Sequence, residues 1–276
     1  MSWSRGHPSG IVLAMTNYFD RLRTASTDRE SLLCVGLDPD RSVIEGGLDG
    51  AVSFCRRVVE ATSDIACCFK PNAAFWEQYG PRGWIGLASV RETIPPDIPV
   101  LLDCKRADVP NTMAAYAHAV FNEMAFDAAT VHAYHGADSL DTFLSYEGRG
   151  VYVVAHTSNP GRTDLQHRQA DGQPLFMAVA DLAVRCDKSS TAGVVMGATA
   201  PKEAAMVRER FPGLPFLMPG IGRQSGDVEA AVRSSFTGDP ASCLIVVAGA
   251  IMYADDPRTA AVRWRDSIRR AADSRS

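Results

Sequence analysis

The chain has 276 residues, 46% hydrophobic and 22% charged, with 28 Lys+Arg against 32 Asp+Glu for a formal charge of −4. That balance excludes a disordered chain, and 22 Gly with 16 Pro exclude collagen-like and low-complexity readings. A slight acidic excess without a basic stripe argues against a nucleic-acid partner, and a chain this long buries roughly three-quarters of its unfolded surface, enough for one large core.

The amino-terminal stretch carries only five consecutive apolar residues, Ile11 to Met15. A secretory core needs roughly 7–15 and a membrane helix about 20. The expectation is therefore a cytoplasmic protein with no membrane partner, in which residues 1–15 form a movable tail ahead of one catalytic domain at 16–276. A helix over 17–24 precedes the first strand and is placed to close the bottom of a barrel. Short apolar runs of strand length follow at 32–37, 66–70, 100–103, 128–131, 150–155, 192–196, 214–218 and 243–247. They are continuous in apolarity rather than alternating, as parallel strands covered on both faces are. Between them, 111–126 places Met113, Tyr116, Val120 and Met124 on one helical stripe. The segment 201–211 opens on Pro201 at a first helical position. After Asp255-Asp256-Pro257 a last helix carries Ala261, Trp264, Ile268 and Ala271 on one side. Eight strand–helix units in about 250 residues predict an α/β fold, a single-domain (β/α)8 TIM barrel. A doubly wound sheet is the alternative, because periodicity does not distinguish a closed sheet from an open one. The seven cysteines, at 34, 55, 67, 68, 104, 186 and 243, form no C-x-x-C pair and read as buried reduced thiols.

In a barrel, chemistry collects where strands end. Polar residues concentrate there: Asp38, Lys70, the run Asp103 to Asp108, His132 and His135, His156 to Asn159, and Pro219 to Gln224. In LLDCKRADVPNT, Asp103 and Lys105 project to one face of an extended strand. Asp108 follows in the loop, Thr112 lies near the start of the next helix, and Lys70 in FKPN ends the neighbouring strand. Spacing alone is equally compatible with a surface loop and an incidental salt bridge. Position favours a site, since isolated charges at the ends of apolar strands are costly to desolvate. An alternating Lys–Asp–Lys–Asp array keeps its members ionised. Pro219 to Gln224 is a Gly-rich turn before a helix, whose backbone N–H groups suit a phosphate, although two glycines also suit any tight turn.

LLDCKRADVPNTMAAYA resembles the D-x-K-x-x-D signature of orotidine 5′-phosphate decarboxylases. FKPNAAFWEQYG, HTSNPG, VVMGATAP and MPGIGRQSGD, in this order, are similar to the bacterial branch whose members carry K-P-N, and the resemblance runs from about Leu33 to Tyr253. It implies cofactor-independent decarboxylation of orotidine 5′-phosphate to UMP in pyrimidine biosynthesis, with no metal or organic cofactor. Lys105 is then the acid that protonates C6, Asp103 lies against the departing carboxylate, and Lys70 and Asp108 complete the array. The resemblance also implies that Asp108 and Thr112 reach into a neighbouring subunit's site, hence a homodimer with shared active sites. Asp38 matches the ribose-hydroxyl acceptor and Ser158 the residue that reads the pyrimidine edge. Pro219, Gly222, Arg223, Gln224 and Gly249 fall at the phosphate end.

Two departures bear on the substrate. Gly249 occupies the position where the resemblance implies an arginine on the 5′-phosphate. Either Arg223 compensates, or the substrate is a modified or unphosphorylated orotidine-like nucleoside of a specialised pathway. His132-Ala133-Tyr134-His135 replaces a small polar residue and proline, and with His156 three imidazoles invite a metal reading. The spacing is not H-E-x-x-H, and H-x-x-H at a strand end points its rings apart, so the expectation is loop hydrogen bonding without a metal. The rivals are a sugar-phosphate synthase or lyase using Mg2+, and a nucleotide-binding barrel without chemistry.

Overall fold

The computed structural model describes residues 17–222 and 227–274. The expected tail at 1–15, Arg223 and Gln224 lie outside the described residues. Eight parallel strands form the core: β1 (Leu33–Gly36), β2 (Cys68–Lys70), β3 (Leu101–Arg106), β4 (Ala128–Val131), β5 (Gly150–His156), β6 (Ala192–Met196), β7 (Phe216–Met218) and β8 (Cys243–Val247). Each expected strand is present. They run in the order β2-β1-β8-β7-β6-β5-β4-β3. The remaining seam, between β2 and β3, is closed by parallel bridges Phe69–Val100 and Asn72–Asp103. The sheet is thus a barrel rather than a doubly wound layer. β1 and β8 meet through Leu33–Ile245, Cys34–Val246 and Val35–Val247.

The strands are apolar throughout because both their faces are covered. Cys34, Cys68, Tyr152, Val154, Leu217 and Leu244 fill one cluster, while Leu33, Val35, Val153, Val194 and Ile245 pack with the helices in another. The first helix, α1 (Tyr18–Asp28), plugs the floor of the barrel and runs past the expected end at 24. Asn17 caps it, accepting from the Phe19 N–H at 2.9 Å. Its Tyr18 ring lies so close to Gly150 that a Cβ there would come within 2.2 Å of a ring carbon. Arg21 holds Asp127 at 2.5 Å, and Asp127 accepts from the Val100 N–H at 2.8 Å, which ties the plug to the strand bases.

The outer helices are α2 (Gly47–Thr62), α3 (Ala73–Glu77), α4 (Pro81–Arg91), α5 (Pro110–His118), α6 (Ala137–Leu144), α7 (Leu175–Cys186), α8 (Pro201–Arg210), α9 (Val228–Ser235), α10 (Gly249–Met252) and α11 (Pro257–Asp273). The single helix expected over 111–126 divides into α5 and a π-helical turn, Ala119–Glu123. The wider turn directs both Val120 and Phe121 into the core. α11 starts on an Asp256 cap and buries Ala261, Ile268 and Ala271, with Trp264 packed beside them. All seven cysteines are buried free thiols. Among the described residues no helix is long and apolar enough to cross a membrane.

Candidate active site

The carboxyl end of β3 sets the centre of the site. Its pairing with β4 shifts register between Leu102 and Arg106, and Lys105 takes a left-handed backbone, φ 46°. This bulge, rather than a plain extended strand, carries Lys105 back over Asp103. The Thr130 side chain on β4 holds the turn, accepting from the Lys105 N–H at 2.9 Å and donating to Asp103 Oδ1 at 2.8 Å. Lys105 Nζ reaches Asp103 Oδ1 at 2.5 Å. On the other side, Lys70 Nζ donates to Asp103 Oδ2 at 3.0 Å, and Asn72 Nδ2 donates to the same oxygen at 3.3 Å. The structure therefore brings three of the four expected charges into one contact chain, Lys70–Asp103–Lys105.

Burial alone would neutralise the Asp103 carboxyl, but the Lys70 and Lys105 ammoniums outweigh it and hold its pKa well below the usual range. Burial likewise opposes the charge on Lys70, and Asp103 and Asp38 overcome it, leaving Lys70 above its ordinary value. Asp38 follows β1 and accepts from the Asn72 N–H at 3.0 Å. Its pKa is raised, first by burial and then by Asp103, with Lys70 offsetting part of the effect.

These groups line a cavity of about 410 Å³ at the carboxyl ends of the strands, inside the roughly 300–1,000 Å³ typical of small-molecule sites. Ser158, Asn159, Pro219, Gly220 and Gly249 line it as well. Ser158 is fixed through its backbone: Thr199 Oγ1 donates to its carbonyl at 3.0 Å, and a Cβ on Gly197 would come within 2.7 Å of its nitrogen. The Thr157 N–H donates to Gln166 Oε1 at 2.9 Å. Gly220 and Gly222 have positive φ, 107° and 89°, and Gly222 abuts Ala250 rather than the cavity. Gly249 opens the single-turn helix α10. Tyr253 joins the two ends of the barrel seam, its hydroxyl donating to the Asp38 carbonyl at 3.0 Å and accepting from the Asp40 N–H at 2.7 Å.

Asp108 and Thr112 stand apart from this cavity in their own chain. Asp108 accepts from the Val109 N–H at 2.7 Å, and Thr112 lies in the first turn of α5. Sequence reasoning missed Thr130 and Asn72. Thr130 was marked only by being the lone hydroxyl in an apolar strand, where a buried hydroxyl needs a partner.

The three imidazoles that invite a metal reading are divided. His156, fully buried at the end of β5, faces His167, with 3.0 Å between their Nε2 atoms. His132 is half-buried; burial first, and the ammonium of Lys105 second, lower its pKa. His135 is exposed beside Tyr134. The partner of His156 thus comes from a loop after β5, not from the end of β4.

A model of the Orotidine 5′-phosphate decarboxylase / HUMPS family matches residues 31–264. The orotidine 5′-phosphate decarboxylase of Thermomicrobium roseum is 44% identical over 268 residues, covering 92% of this chain and 95% of that protein. That of Cupriavidus metallidurans is 40% identical over 268 residues, covering 92% and 98%. Among solved structures, the OMP decarboxylase of Leishmania donovani superposes with a TM-score of 0.87 at 37% identity, covering 94% of this chain and all 100% of that one.

Proposed function

The chain belongs to the orotidine 5′-phosphate decarboxylase / HUMPS family, and from that membership we propose that it converts orotidine 5′-phosphate to UMP and CO2 at the Asp103–Lys105 pair, with no metal or organic cofactor in the reaction. The observation that carries the assignment of residues is the contact chain Lys70–Asp103–Lys105 on the cavity wall.

The chemistry asks for charge rather than for a cofactor. When the bond from C6 to the carboxyl group breaks, its electron pair stays on C6, where no conjugated system takes it up. Preorganised positive charge beside C6 stabilises that pair without having to reorient. Lys105 supplies it and then transfers a proton from Nζ to C6, recovering one from water afterwards. Asp103 is pinned by Lys70, Thr130 and Asn72. It does not swing aside, so the substrate carboxylate meets a fixed like charge that departure as CO2 relieves. Asp38 accepts from the ribose hydroxyls, and the Ser158 hydroxyl both donates to and accepts from the pyrimidine edge. Asp108 and Thr112 complete the site of a second copy, which makes the working unit a homodimer. Seven buried free thiols suit a reducing, cytoplasmic setting.

Lys105→Ala tests the assignment. CO2 release from orotidine 5′-phosphate should vanish while calorimetry still detects UMP binding, and an unchanged rate would discredit the acid.

A second reading rests on the charge around the cavity. Its described lining offers three carboxylates, Asp38, Asp40 and Asp103, against the ammoniums of Lys70 and Lys105, with Gly249 at the phosphate end. A 5′-phosphate brings further negative charge, and without a guanidinium from Arg223 an unphosphorylated nucleoside is the better match. Comparing kcat/KM for orotidine 5′-phosphate and orotidine decides: strong preference for the nucleotide ends the second reading, and turnover of the nucleoside alone ends the first.

A further inference from the structure

We propose that His156, His167 and Glu203 form a binding site for a divalent transition metal of the Zn2+ kind, separate from the reaction centre, that clamps the loop after β5 onto α8. None of the three lines the substrate cavity. His156 ends β5, Glu203 lies in the first turn of α8, and His167 comes from the intervening loop, between the 3-10 turn Pro160–Asp164 and a two-residue hairpin at Gln169–Ala170 and Gln173–Pro174. One ligand atom from each residue falls within 4.8 Å of the other two.

The His167–Glu203 separation fits coordination better than hydrogen bonding, while the two imidazoles stand at a distance that a shared proton or a shared metal would both satisfy. The two Nε2 atoms are 3.0 Å apart, and His167 Nε2 is 3.7 Å from Glu203 Oε1. A carboxylate at that range is beyond a hydrogen bond to the ring. Ligands at about 2.0–2.1 Å on a tetrahedral zinc are about 3.3 Å from one another, which lies between the two observed separations. Two imidazoles and one carboxylate leave a fourth position for water, and the carboxylate supplies negative charge against the field of Arg162 at His156. The Phe176 ring backs both imidazoles, with centroids 5.3 and 6.0 Å away, and gives the group an apolar wall. The neighbour of His167, Gln166, is already bonded to Thr157, so a metal here fixes the segment that carries Ser158. This departs from the expectation that the chain carries no metal, and it is independent of the assigned reaction.

The test uses full-length protein purified without a histidine tag and stripped by chelator. Titration calorimetry with Zn2+ should find one equivalent per chain, and Co2+ should give the visible absorption of a four-coordinate site. Both should be lost in His167→Ala and weakened at least tenfold in Glu203→Gln, while His132→Ala/His135→Ala keeps both. Zn2+ should raise the Tm of the parent chain and leave that of His167→Ala unchanged. Retained substrate turnover in His167→Ala shows that the variant is folded. No stoichiometric binding by the parent, or undiminished binding by a folded His167→Ala, overturns the proposal.

Discussion

Asp103→Asn keeps the shape of a side chain and removes the carboxylate that contacts both ammoniums of the site. Lys70 is 3% exposed and its Nζ lies 3.0 Å from Asp103, so the variant leaves a buried cation against an amide, with Asp38 as its remaining carboxylate. Removing one partner of a buried pair costs about 3–5 kcal/mol. The Lys105 side chain is 40% exposed, and solvent screening holds its share of the loss to about 1 kcal/mol at most. Against a total stability of about 5–15 kcal/mol this is a large fraction. At a slope of about 2–3 kcal/mol per M it moves the urea midpoint down by roughly 1–3 M, read by tryptophan fluorescence at pH 7.

The pH dependence gives the same experiment a second arm. The Asp103 pKa lies below the ordinary carboxylate value, so its contribution is present above that value and fades as pH falls through the folded one. The Lys70 pKa lies above the ordinary ammonium value, so its contribution is present below that value and fades as pH rises through the folded one. Both are complete near neutrality, and the gap between parent and variant should narrow only toward strong acid or strong base. Lys70→Met/Asp103→Leu should be more stable than Asp103→Asn, because apolar replacement of a whole buried pair is often neutral or stabilising. A variant within about 1 kcal/mol of the parent, or a double variant less stable than the single one, refutes the account.

Lys105→Ala should lower kcat by at least about 10²–10⁴, the worth of a general acid, while Lys105→Gly, equally inactive, should be about 1 kcal/mol more stable than Lys105→Ala because of the left-handed backbone there; steady-state assays and urea midpoints check both. The raised pKa of Asp38 means that acidification protonates it before an ordinary carboxylate, so KM should climb on lowering the pH and Asp38→Asn should flatten that climb. Ser158→Ala loses two neutral hydrogen bonds, about 0.5–1.5 kcal/mol each, and kcat/KM should fall by about 5- to 150-fold; no change removes Ser158 from recognition. Mixing inactive Asp108→Asn with inactive Lys105→Ala should restore CO2 release if sites are shared between copies, and a mixture as inactive as its parts refutes sharing.

The barrel was legible because its strands are unbroken apolar runs, which few other environments tolerate. The edges were less so. The run at 214–218 yields a strand only from Phe216, since Pro215 has no N–H to give the ladder. The π-helical turn after α5 preserves the apolar stripe that predicted a helix, and composition does not register a change in hydrogen-bond ring size. Spacing anticipated the meeting of Asp103 with Lys105 for an incomplete reason, because the contact depends on a bulge and a hydroxyl from β4. His167 escaped notice altogether. It lies in an irregular loop with no periodic pattern, and only the folded path brings it to His156.

The seam between β1 and β8 has a consequence for how the molecule comes to work. Asp38 follows one of those strands and Gly249 the other, with Tyr253 buttoned across them. A polypeptide growing from its amino end holds the first half of that seam long before the second is made. Affinity for a ligand spanning both sides is therefore acquired only after all eight barrel strands have emerged. Once acquired, it turns the ligand into a latch on the join between the first and the eighth strand.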